Sequence, residues 1–216
     1  MKNTRWLGVI ALGVLLSSCN ALIGSFVQPI KLENNPIGLD KAKLATDALQ
    51  IIPTDVQAGG TQSVNFNDID PGDTRGLAPN LIEGSLTFSK VIVSGTCATP
   101  LAELPTAFQI QLKGVKADVQ DSETNKVSST GTPDPLTVNV NDATPERTLN
   151  SVTYDLPANT TLGISFGRQL FNIVTQAPVS NQATIAGQVI INNNAFAGCT
   201  LEVEIGDHSV TLKNFS

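Results

Sequence analysis

The sequence predicts an all-β fold, either an antiparallel β-sandwich or an open barrel. Three observations predict it. Apolar and polar residues alternate over many short stretches, the pattern of half-buried strands. Gly, Pro, Asn and Asp punctuate those stretches at intervals of roughly ten to fifteen residues. Only 15% of the 216 residues are charged, against a typical 25% or so, and Thr, Asn and β-branched residues fill the space. Polar residues between the apolar ones argue against a parallel sheet buried on both faces.

The elements follow in order. Residues 26–32 alternate weakly and suit a first strand. The best helix candidate, and the sole short helix expected, lies near 40–52. Ala42, Ala45, Leu49 and Ile52 recur there at helical spacing behind Asp40 as a possible N-cap, and Pro53 would end it. Residues 63–67 read as a short strand. Residues 81–96 read as a long one, whose parity shifts between Phe88 and Val91, so a bulge is expected near Ser89 and Lys90. Residues 107–119 alternate through Phe108, Ile110 and Leu112, then switch parity after Gly114. Leu136, Val138 and Val140 mark a strand, residues 151–156 another, and Leu162, Ile164 and Phe166 a third. Residues 183–191 follow. Leu201, Val203 and Ile205 are expected to form a hairpin with Val210 and Leu212 through Gly206 and Asp207. Residues 122–135 (SETNKVSSTGTPDP) and 70–79 read as exposed loops.

The amino terminus carries a different signal. Lys2 and Arg5 form a basic flank, residues 6–16 are uncharged and mostly apolar, and Ser17 and Ser18 lead to Cys19. That run is too short to span a bilayer, which needs about 20 apolar residues. Basic flank, short apolar core and small residues together form the secretory signal pattern. Leu16-Ser17-Ser18-Cys19 resembles the lipobox of bacterial lipoproteins. The resemblance implies cleavage before Cys19, diacylglycerol on its thiol, and acylation, commonly with palmitate, of the new amino terminus. Asn20 in place of an aspartate implies sorting to the outer membrane, where the host has one. Two or more acyl chains anchor stably, each buried methylene contributing about 0.8 kcal/mol. The expected organisation is a signal peptide at 1–18, a lipidated tether at 19–31, and one all-β domain at 32–216.

Removing the 18 signal residues from 216 leaves 198. Lys2 and Arg5 leave with them, so 11 basic residues stand against 19 acidic ones and the net charge becomes −8. Nucleic acid is excluded as a partner, because binding it requires a basic stripe. Anionic headgroups are repelled too, so the lipid on Cys19 must hold the protein at the membrane. Cys97 and Cys199 are then an even pair in an oxidising compartment and are expected to form a disulfide. Two distant cysteines and a single histidine do not make a zinc site.

Three motifs suggest chemistry. Gly163-Ile164-Ser165-Phe166-Gly167 matches the G-x-S-x-G nucleophile elbow, which needs a strand-to-helix turn and a histidine base. His208 is the single histidine, it sits in a sequence that reads as a solvated turn, and the flanking pattern reads strand–glycine–strand. A glycine-flanked strand residue is the simpler account of Ser165. Asp68, Asp70 and Asp73 surround Gly72 like the start of a calcium loop. The twelfth position would be Pro79, not the bidentate Glu such a loop requires, and an Asp-Pro-Gly-Asp turn explains the same residues. No cofactor is expected. The sequence favours a non-enzymatic, lipid-anchored binding or scaffolding protein of the cell envelope, with an envelope protein or a polysaccharide as partner. The alternatives are a carrier of a small apolar ligand and, more remotely, a hydrolase using Ser165.

Overall fold

The computed structural model describes residues 27–33, 43–45, 54–61, 74, 76–121, 125–176 and 182–216. Twelve strands lie in one antiparallel sheet: β1 (Ile30–Leu32), β2 (Lys43–Ala45), β3 (Thr54–Thr61), β4 (Pro79–Gly95), β5 (Ala107–Gln120), β6 (Lys126–Thr130), β7 (Leu136–Asn141), β8 (Glu146–Arg147), β9 (Ser151–Asp155), β10 (Thr161–Gly167), β11 (Gln182–Ile191) and β12 (Cys199–Phe215). Among the described residues an α-helix, α1 (Arg168–Gln176), follows β10 directly. The expected all-β, antiparallel open-barrel or sandwich architecture is therefore present.

Three strands organise the sheet, and each is bent by a bulge where its neighbour changes. β4 pairs with β10 from Leu81 to Thr87 and with β9 from Lys90 to Ser94. Ser89 is the extra residue between the two halves, since Glu204 lies opposite Lys90 and Ile205 opposite Phe88. Its carbonyl accepts from Leu156 N–H (2.9 Å), and Phe88 N–H donates to the Thr160 carbonyl (2.8 Å). This is the bulge read from the parity of 81–96. β5 pairs with β7 before Gly114 and with β6 after it. Gly114 sits at φ 60°, where a side chain would be strained, and donates its N–H to Asp134 Oδ1 (2.7 Å).

β12 repeats the device. It faces β2 at Glu202–Glu204 and β1 at Val210–Leu212. Gly206 and Asp207 form the bulge between them, four residues from Ile205 to His208 opposing three from Phe88 to Leu86. The expected hairpin is thus one continuous seventeen-residue strand. Both halves find partners on the same neighbour, β4, so the chain needs no reversal there. The bulge bends the strand and shifts its parity by one.

Other expectations are corrected as well. Lys43–Ala45, inside the segment expected to be helical, is strand paired to β12. The rest of 40–52 lies outside the described residues, and an unexpected helix lies at Arg168–Gln176, where Leu170 and Ile173 recur three apart and are buried. The stretch at 122–135 contains β6, held by five partners on β5. Its polar side chains alternate with buried Ser129, so it is an edge strand and not a loop. β3 was not legible, and the strand expected at 63–67 lies outside the described residues. Ile30 and Lys31 pair with Leu212 and Thr211, so the sheet begins upstream of residue 32.

The sheet curls until β6 meets β10. Thr132 N–H donates to the Gly163 carbonyl and Gly163 N–H to the Thr132 carbonyl, both at 2.8 Å. Ser165 N–H donates to Ser129 Oγ at 2.8 Å. Side chains from the inner faces form one apolar cluster, with Phe88, Ile110, Leu162, Val203 and Leu212 among its members. At one pole Phe108 packs edge-on against Tyr154 and tilted against Phe196, with centroids 4.9 and 4.6 Å away.

Candidate functional site

The structure joins one pair of the sequence-derived candidates and separates another. Cys97 and Cys199 form the expected disulfide, with Cα atoms 4.4 Å apart and a sequence separation of 102. It joins the start of β12, where Cys199 lies opposite Gly95, to the segment just beyond β4. Cys19, Asp68, Asp70 and Asp73 lie outside the described residues. Among the described residues no group of three or more His, Cys, Asp or Glu could hold a metal ion, and no helix is long and apolar enough to cross a membrane.

The G-x-S-x-G segment is the closing seam of the curled sheet. Gly163 makes the paired backbone bonds to Thr132, Ser165 takes the Ser129 hydroxyl, and Gly167 ends β10 ahead of α1. The segment is therefore strand followed by helix, as a nucleophile elbow would be. Ser165, however, lies within the strand opposite Glu83, and its side chain faces outward. His208 is on β12, with β4 between the two strands, and is 3% exposed. The solvated-turn expectation for His208 fails because the bulge moves its position to the buried parity. Serine and histidine thus occupy opposite faces of different strands.

Two cavities among the described residues differ in chemistry. An apolar one between β4, β10 and β12 on one side and β5 and β11 on the other lies under Leu170 of α1. Its volume is about 20 Å³, room for roughly one water. A larger concavity of about 290 Å³ opens on the outer face of β1, β12 and β4, lined by Glu33, Ser85, Thr87, Asp207, His208 and Ser209. The β12 bulge puts Asp207 at its rim. The Lys31 ammonium bonds Glu33 at 2.6 Å and holds its carboxyl below the usual range, first through that hydrogen bond and then through its charge. Sequence reasoning missed this site because its residues come from three distant segments. The pairing register alone brings them together.

Comparison with known proteins adds little. No protein family matches the chain, and no curated protein does. Among solved structures it is similar to the CBM22-1–GH10 modules of a Clostridium thermocellum endo-1,4-β-D-xylanase complexed with xylohexaose. There the identity is 11% and the TM-score 0.26, over 87% of this chain and 28% of that one. It is also similar to structures of Desmodium yellow mottle tymovirus (10% identity, TM-score 0.20, 88% and 82% covered) and turnip yellow mosaic virus (12%, 0.19, 88% and 83%). Likeness at this level carries no argument about function.

Proposed function

We propose that the protein is an exported lipoprotein, anchored through lipid on Cys19, that acts as a non-enzymatic binding or scaffolding protein of the bacterial cell envelope. The observation that carries this is the lipobox-like Leu16-Ser17-Ser18-Cys19 behind a basic flank and a short apolar run. The Cys97–Cys199 disulfide supports it, since such bonds persist in oxidising compartments. The chain from Cys19 to Ile30 reaches at most about 40 Å, so the sheet stays close to the anchoring membrane. The separation of Ser165 from His208 supports a non-catalytic role, because a triad needs nucleophile and base within hydrogen-bond reach. A carrier would need a large apolar pocket. The apolar cavity under α1, among the described residues, is far smaller.

Fractionation of cells tests the proposal. Cys19→Ala is expected to move the protein from the membrane into the soluble exported fraction. Unchanged membrane association of the variant would refute the anchor.

A further inference from the structure

We propose that the 290 Å³ concavity on the outer face of β1, β12 and β4 binds a non-anionic polyhydroxylated ligand, a sugar residue of an envelope polysaccharide. The inference deepens the binding-protein reading and rests on it, though not on the anchor. Its floor is a row of small polar groups set by register. Ser209 lies opposite Ser85, Ser85 opposite Gly163, and Thr87 opposite Thr161. Leu32 pairs with Val210, which brings Glu33 next to Ser209. Ser85, Thr87 and Ser209 are half-buried, while Glu33 and Asp207 are exposed at the rim.

The chemistry of this lining selects its occupant. Each hydroxyl both donates and accepts, and each carboxylate only accepts. The complement must bring several O–H or N–H donors at close spacing, which is the character of a sugar ring. The nearby ammonium, Lys31, is already paired with Glu33. The Asp207 carboxylate at the rim repels phosphates and uronates, while the charge of Glu33 is offset by Lys31. The lining residues are all polar, His208 the single ring among them, which disfavours an apolar ligand. The volume lies at the lower end of small-molecule sites, suited to one ring and not to a long segment. The β12 bulge is what aims Asp207 here, and bulges recur where a side chain must be redirected.

The test uses full-length protein in detergent, with glucose and glucosamine oligosaccharides as probes and an oligouronate as control. Binding is measured by saturation-transfer NMR and calorimetry. The wild type is expected to bind a neutral or amino oligosaccharide and not the uronate. Asp207→Asn is expected to weaken that binding about tenfold, since a bond to a charged acceptor is lost. Ser85→Ala/Ser209→Ala should weaken it by at least threefold with thermal stability kept. No binding at about 10 mM probe, equal binding of the uronate, or unchanged affinity in Asp207→Asn would each overturn the inference. Crosslinking in cells to an envelope protein alone, with no saccharide bound, would overturn it and leave the binding-protein reading standing. Loss of the anchor in the Cys19→Ala experiment bears on that reading's membrane claim and not on this site.

Discussion

A single phenol shows how burial sets a residue's behaviour. Tyr154 is the sole tyrosine, buried on β9, with its O–H donating to the Pro105 carbonyl at 3.0 Å and its ring edge-on to Phe108. Burial pushes its pKa up, against the attraction of Arg147, whose guanidinium donates to the Leu101 and Leu104 carbonyls. The folded state therefore favours the neutral phenol. This stabilisation is complete below the unfolded phenol's ordinary value near 10. It is lost as pH rises from there through the raised folded value. Tyr154→Phe should cost about 1 kcal/mol near neutral pH through the lost hydrogen bond. It should also flatten the alkaline loss of stability. Urea midpoints at about pH 7 and pH 10.5 read both effects. An unchanged alkaline slope in the variant would show that another group titrates there. His208 teaches the complementary lesson. Its identity and its turn-like neighbours suggested solvent, but one inserted residue upstream sends it inward.

At the scale of elements, parity carried most of the information. The switches at Ser89 and Gly114 were legible because apolar residues on either side keep strict alternation. The switch at Gly206–Asp207 was legible as a break but not as a bulge, since Gly-Asp serves a hairpin turn equally well. β6 was hidden because Val127 is its single aliphatic inward residue, while the next, Ser129, is a hydroxyl that β10 uses for backbone pairing. The seam between these two strands makes a sharp prediction. A Cβ on Gly131 would lie 2.0 Å from Leu162 Cδ2, inside the core. Gly131→Ala must displace a side chain that is 1% exposed, at about 1–3 kcal/mol for overpacking. The melting temperature should fall by roughly 2–12 °C. Adding Leu162→Ala should cost less than the two changes summed, because the second removes the clash of the first. Strict additivity in the double-mutant cycle would place the strain elsewhere.

For the whole molecule, β1 and the disulfide lie at opposite ends of the long strands. β1 meets β12 at Leu212, which pairs with Ile82, whereas Cys199 pairs with Gly95 at the other end of β4. The thirteen steps from Ile82 to Gly95 trace roughly 40 Å along the strand. The proposed lipid and the disulfide should therefore act independently. Cys97–Cys199 closes a loop of 102 residues, worth about 4–5 kcal/mol in the chain-entropy account. Cys97→Ala/Cys199→Ala is expected to lower the melting temperature by roughly 8–16 °C while the protein stays in the membrane fraction. Cys19→Ala should do the reverse, releasing the protein with its melting temperature unchanged. A disulfide variant that melts like the wild type would mean the packed Phe108, Tyr154 and Phe196 already fix that pole. A disulfide variant that leaves the membrane would mean the two ends are coupled through β4 and β12.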